Sequence, residues 1–336
     1  MIDLLVAGGG PAGLATAIFG ARAGLEVVVV ERRRGAVDKA CGEGLMPHAV
    51  ALLDELGVDP PGKPFHGITY VDGRHRVTGR FRGAGRGVRR TALHAGLLEA
   101  ATAAGVRIEH REVGPVSQSA TSVYCSGFHA RYLAAADGLH SPIRTDLGLA
   151  RQATGPRRWG IRRHHLMAPW SDCVEVYWSD DAEAYVTPVA DDCVGIAILT
   201  SRKGGFDAHF SAFPELQERV QGQAHGPDRA AGPLRQRVRG RTAGRVLLVG
   251  DAAGYVDALT GEGLGIAFGA AKLLVECVAA ERPQDYDRRW RRMSRRYRLL
   301  TAAVLKASAS PLRPAIVPAA AHVPGVFRGV INLLAE

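Results

Sequence analysis

The chain is short of several things, and each shortage narrows its chemistry. Its five cysteines, at 41, 125, 173, 193 and 277, are odd in number and form no Cys-x-x-Cys pair. That argues against a disulfide framework or a zinc site and fits a reducing, cytoplasmic setting. Aromatic residues make up only 6%. The first apolar run is six residues long and ends in glycines, so no signal peptide is expected. The most apolar stretch, 264–280, is too short for a comfortable membrane span and carries Lys272 and Glu276. Lysine is scarce, five of 43 basic residues, so arginine carries the net charge of +10. No nucleic-acid module accompanies that charge, and no nucleic-acid partner is expected. A solvated surface, an anionic substrate or an anionic membrane would each account for it.

What is present is ordinary for a soluble protein: 336 residues, 46% hydrophobic and 23% charged, enough for a sizeable core. The chain opens with an apolar strand-like run at 2–7, followed by Gly8, Gly9, Gly10, Pro11, Ala12 and Gly13. In a strand–turn–helix unit, Gly8 serves the tight turn and Gly10 lets the backbone approach a pyrophosphate. Gly13 lets the helix pack against the strand, and Ala12 lies in the same turn. A helix starting near Pro11 aims its free N–H groups at the phosphates. The valines at 27–30 form a second strand, and Glu31 stands at its tip, where a carboxylate accepts from a ribose hydroxyl. The same carboxylate repels a 2′-phosphate, which disfavours NADP there. Arg32 and Arg33 follow directly and are grouped with the cofactor residues.

The remaining pattern alternates between two characters. Helices are expected at 50–56 and 91–104, a hairpin at 65–82 with its turn at Asp72–Gly73, and strands at 107–109 and 132–136. The run 83–87, with three glycines, lacks a preceding strand of the right kind and reads as a loop. Four strand-like runs at 159–167, 173–178, 184–189 and 193–200 suggest an antiparallel meander. An apolar strand at 244–250 returns to the first type, then a long helix and the basic helix 286–306. The fold expected is α/β: a discontinuous dinucleotide-binding domain (1–64, 84–150, 241–280) interleaved with an antiparallel β-sheet substrate domain (65–83, 151–240). A helical segment, 281–336, completes it.

Two further motifs follow the first. Ala136, Asp137 and Gly138 end an apolar strand. Gly250 and Asp251 end another and lead into Thr260, Gly261, Glu262, Gly263 and Leu264. Asp251 falls at the carboxyl end of a buried strand, where α/β sheets bind ligands. In this order, the three motifs resemble the FAD-binding pattern of the group A flavoprotein monooxygenase and geranylgeranyl reductase superfamily. The resemblance covers roughly residues 1–280. It implies a tight, non-covalent FAD in a Rossmann-like domain, with NAD(P)H as a transient donor. It implies Glu31 at the adenosine ribose, Asp251 at the ribityl or pyrophosphate, and Gly261, Gly263 and Leu264 beside the flavin. Arg90 matches an Arg-x-x-Leu helix start and is implied as an FAD contact. Asp137 belongs to a motif linked to FAD and the nicotinamide donor.

The loop Cys41-Gly42-Glu43-Gly44-Leu45-Met46-Pro47 is similar to a geranylgeranyl-reductase element that faces the flavin ring. It places Gly42 at the cofactor. A lone cysteine is more often a packing residue, and Glu43 reads either as a surface acid or as a substrate-side group. Tyr185 matches the aromatic of the family's sheet motif. His164, His165, Tyr177 and Trp178 are read either as substrate-facing or, more often, as structural, since alternation sends only half of them inward. Two chemistries share these motifs. The first is an NAD(P)H-dependent monooxygenase working through a flavin C4a-hydroperoxide on an aromatic or polyketide-like molecule. The reduced aromatic lining and the compact chain keep it open, and analogy with small tailoring hydroxylases of this build leans to it. The second passes hydride from reduced FAD to a C=C bond of a lipid or isoprenoid, with Cys41 or Tyr185 as catalytic proton donor; the Cys41–Gly42 element points there. The basic helix carries an apolar stripe of Trp290, Met293 and Tyr297. Packing of that stripe on the first domain and contact with a membrane surface are both open.

Overall fold

The computed structural model describes residues 1–335. Five parallel strands form the body of an eight-stranded first sheet, in the order Val246–Leu248, Phe128–Ala135, Ile2–Ala7, Val27–Val30 and Arg107–Glu109. Leu4, Leu5 and Val6 are fully buried in its centre, as a strand covered on both faces requires. The helices Pro11–Arg22 and Gly263–Ala279 lie against each other over this sheet. Gly13 makes the first crossing close: a Cβ there would run into the Gly8 carbonyl oxygen.

The second sheet runs Arg229–Ala231, Trp159–His165, Cys193–Thr200, Ala182–Ala190, Val174–Trp178, Lys63–Val71, Arg76–Gly87, with Gly44–Leu45 on its edge. Two expectations are corrected here. The four central runs are not a simple meander. Trp159–His165 pairs with Cys193–Thr200, and Val174–Trp178 runs parallel to Lys63–Val71. Run lengths and turns could not reveal this, because pairing order depends on contacts distant in sequence. The 83–87 segment is also not a loop. The hairpin strand continues to Gly87 and pairs with Lys63, Pro64 and Phe65. Its glycines are steric: a Cβ at Gly85 would enter the Phe65 ring, and one at Gly87 would meet the Pro188 carbonyl. Phe65 is fully buried in the resulting gap, a burial that contributes about 1.5–3 kcal/mol.

The C-terminal segment closes one side. In the Tyr286–Ser308 helix, Trp290 is buried and Met293 packs beside Gly269, so this part of the stripe faces the first sheet's core. Two helices follow, and the pair meets at 105°. The second, Pro324–Ala335, lays Phe327 and Ile331 against Gly79 of the hairpin. No single helix among the described residues is long and apolar enough to cross a membrane.

Candidate active site

A cavity of about 810 Å3 opens between the two sheets. Of the cofactor and catalytic residues expected from the sequence, all but Gly8, Gly13 and Glu31 line it. At one end are Gly10, Ala12, Arg32 and Arg33. Glu31 is locked in place. Its Oε2 accepts from Gly9 N at 2.9 Å, and its Oε1 from Arg33 N at 3.0 Å and Arg33 Nε at 3.2 Å. Burial pushes its carboxyl up, but the two backbone donors and the Arg33 charge outweigh it, and the net shift is down. A Cβ at Gly10 would meet nothing within 4 Å, because that position looks into the cavity.

Further along, three motifs converge. Asp137 accepts from Ile143 N at 3.1 Å through Oδ2, while its buried Oδ1 has no partner. Burial raises that carboxyl. Asp251 faces the cavity with Lys39, Arg90 and Arg144 as its charged neighbours. Gly261 takes a left-handed φ of 72° just ahead of the Gly263–Ala279 helix, whose first residues Gly263 and Leu264 line the same wall. Arg90 is buried, its Nη1 lacks a partner, and burial holds its guanidinium below the usual range.

These features fit FAD. There is open space beside Gly10 at a helix N-terminus for a diphosphate. There is a fixed carboxylate at Glu31 for a ribose, and an unused buried donor at Arg90. A second helix N-terminus at Gly263 favours negative charge on a ring.

Cys41 and Gly42 line the middle of the cavity, and the loop's conformation rests on Glu43. Glu43 is a non-glycine residue at φ 59°, and it is buried, not a surface acid. Its Oε1 accepts from Arg90 N at 2.7 Å and its Oε2 meets His164 Nε2 at 2.6 Å. His164 Nδ1 lies 2.9 Å from Arg162 Nη1, and Arg162 continues to Asp38. Cys41 Sγ receives Glu43 N at 3.4 Å, and burial pushes the thiol up. A buried chain of paired groups therefore supports the loop from below.

Tyr185 lines the cavity, but its hydroxyl donates to the Leu259 carbonyl at 2.8 Å, and burial raises it well above the usual phenol range. Its proton is committed to holding the 257–261 loop. His164, His165, Tyr177 and Trp178 do not line the cavity, so of the two readings open for them the structural one stands; Trp159 lines it. Sequence reasoning also missed two buried anchors inside its own motifs. His94 Nε2 meets Gly9 O at 2.8 Å. Arg144 reaches Leu139 O and Gln236 Oε1, both at 2.9 Å, and Ala252 O at 3.2 Å, tying the second motif to the third. Their type and place in the motifs were the available signal; their partners were not.

A family model described as FAD binding domain matches residues 1–66 and 90–283. The chain belongs to that family and is an FAD-dependent oxidoreductase related to the group A flavoproteins. A menaquinone reductase of Mycobacterium tuberculosis is 28% identical over 86% of this chain and 78% of its own length. A digeranylgeranylglycerophospholipid reductase of Methanothermobacter thermautotrophicus is 27% identical over 85% and 81%. An aurachin C monooxygenase/isomerase of Stigmatella aurantiaca is 24% identical over 83% and 81%. Among solved structures, a flavoprotein/dehydrogenase from Cytophaga hutchinsonii shares the fold. It has a TM-score of 0.83 and 16% identity, over 99% of this chain and 92% of that one.

Proposed function

We propose that this chain is a reductase that adds two hydrogens across a C=C bond of an isoprenoid or other long aliphatic substrate. The observation that carries the reading is the far arm of the cavity. Phe65, Ile68, Val174, Val176, Leu199 and Ile331 line it, and Leu334 of the last helix closes it. Such a wall matches an aliphatic chain by burial of apolar surface. The reductases among the relatives, which align along most of the chain, support the same reading.

Bound FAD supplies the hydride once reduced by a donor, for which NAD(P)H is the natural choice. Gly10 and the Pro11–Arg22 helix would hold its diphosphate, Glu31 its ribose, and Arg90 and Asp251 the stretch between. Gly261, Gly263 and Leu264 would stand beside its ring. The second hydrogen of the product is a proton, and Cys41 is the group positioned to give it. Its raised thiol keeps the proton at neutral pH. Glu43 and His164 hold the thiol's loop in register, and Tyr185 holds the facing one.

The sparse aromatic lining leaves hydroxylation by oxygen as a second reading, favoured by the monooxygenase among the relatives. One experiment separates them. FAD-loaded protein is reduced and offered a polyprenyl substrate without oxygen, then an aromatic polyketide with oxygen. Gain of two hydrogens by mass spectrometry supports the reductase. Gain of one oxygen with no anaerobic product overturns it.

The substrate proposed resides in lipid, and the C-terminal segment offers a surface for reaching it. Arg292, Arg295 and Arg328 are exposed, as are Leu299, Leu312, Val323 and Val326. A basic face with exposed aliphatics suits peripheral contact with an anionic membrane.

A further inference from the structure

A second cavity, of about 520 Å3, shares with the first the wall formed by Gly250, Asp251, Tyr255, Thr260 and Gly263. Its lining is dominated by arginine, seven in all. Four of them, Arg151, Arg235, Arg239 and Arg298, make no ion pair and no side-chain hydrogen bond among the described residues. Arg237 bonds only the Thr154 hydroxyl, at 3.1 Å. Arg241 and Arg291 share a single carboxylate, Asp287, at 2.9 and 2.8 Å. Deeper in, the buried Arg241 Nε and Trp290 Nε1 have no acceptor.

The acids on this wall do not neutralise the cluster. Asp257 turns to Arg158 at 3.4 Å. Glu262 is buried, and its carboxyl is pushed up to about 9, so it holds its proton at neutral pH. Desolvation raises the Asp251 carboxyl, and its charged neighbours are Lys39, Arg90 and Arg144 rather than the arginines of this cluster. Like charges gathered round one concavity repel, and the arrangement is relieved by an anion. Guanidinium groups bind phosphate oxygens through paired, charge-assisted N–H donors. The volume lies within the range of ordinary small-ligand sites.

We propose that this cavity binds the phosphate groups of a phosphorylated ligand other than FAD, through Arg235, Arg239 and Arg298. The FAD diphosphate has its own place beside Gly10, and none of these three arginines lines that cavity. The inference does not depend on which reaction the flavin performs. The ligand chemistry has two sources: the diphosphate of a nicotinamide donor, or a diphosphate carried by the substrate.

Calorimetry on the FAD-loaded full chain tests it, with inorganic pyrophosphate as probe. Wild type is expected to bind, and Arg235→Ala/Arg239→Ala to lose about tenfold or more in affinity. Flavin content should be unchanged. Arg298→Gln carries the same test if the double variant folds poorly, and Arg298→Lys should keep part of the binding. NADP+ and an alkyl diphosphate are titrated in parallel. The one whose affinity falls in the variants identifies the source. Equal affinity of wild type and variants for all three probes overturns the proposal. So does pyrophosphate binding that appears only after FAD is removed.

Discussion

Glu43 Oε2 lies 2.6 Å from His164 Nε2, joining two buried residues 121 positions apart. One belongs to the loop that carries Cys41, the other to the Trp159–His165 strand of the second sheet. Glu43 also caps the start of the Arg90–Ala103 helix through Arg90 N. A single carboxylate thus fixes the loop, the helix and the sheet around the cavity. The left-handed backbone at Glu43 costs of order 1–3 kcal/mol and persists only because these bonds over-determine it.

Removing His164 leaves Glu43 Oε2 buried without its partner. His164→Ala should therefore destabilise the protein by about 1–3 kcal/mol. Glu43→Gln, which keeps an acceptor for Arg90 N, should lose less. Denaturant unfolding of both variants checks the order. Equal stability of His164→Ala and wild type would show that the pair does not carry the loop.

The glycines of the opening motif should divide by cause. Gly13→Ala forces a methyl into the Gly8 carbonyl and should lower the melting temperature. Gly10→Ala meets no protein atom, so it should fold normally and lose flavin. Unfolding curves and the flavin-to-protein absorbance ratio separate the two. A Gly10→Ala protein that keeps full flavin would remove the diphosphate from that position.

Asp251→Ala should fold and retain less FAD, because a charge-assisted hydrogen bond to the cofactor is worth about 1.5–3 kcal/mol. Glu31→Lys should be worse, since it deletes the acceptor and adds a charge beside Arg33. Cys41→Ser should keep FAD and slow turnover, with flavin reduction by the donor unaffected. Wild-type turnover in Cys41→Ser would return the thiol to a packing role.

Glu262 gives a pH dependence with a definite sign. Its folded carboxyl is pushed up to about 9 from an ordinary 4.5, chiefly by burial. The folded state therefore holds a proton that the unfolded state releases between those values. Stability from this group is complete below about pH 4.5 and falls as pH rises toward 9, by at most about 1.4 kcal/mol per pH unit. His48 Nε2 sits 3.2 Å from Glu262 Oε2 without hydrogen-bond alignment, and burial lowers the imidazole, so it adds no compensating charge at neutral pH. Glu262→Gln should flatten the alkaline limb of the stability curve. An unchanged slope between pH 6 and 9 would refute the raised carboxyl.

For the membrane surface, sedimentation with vesicles is decisive. Binding to anionic but not neutral vesicles, lost in high salt, is expected. Arg292→Glu/Arg295→Glu should abolish it, since each basic residue near such a surface contributes about 1 kcal/mol. No sedimentation at low salt would reject the contact.

The sequence alone determined what is local. The strand, the three glycines, the helix and Glu31 lie within about thirty residues, and their spacing carries their geometry. Asp137 and Asp251 were legible because each follows an apolar strand, whereas Cys41, Arg90 and the Gly263 helix start were legible through resemblance to the family's motifs. Tertiary structure decided everything set by distant pairing. The second sheet's strand order, the strand at 83–87 and the union of Glu43 with His164 and Arg162 required chain segments to meet that share no local signal. The arginine cavity is the clearest case: its residues come from 151, 235–241 and 291–298, and in the sequence they looked like surface charge. Folding gathers them because the parallel sheet brings the 250–263 segment and the last long helix together, and charge follows where packing leads.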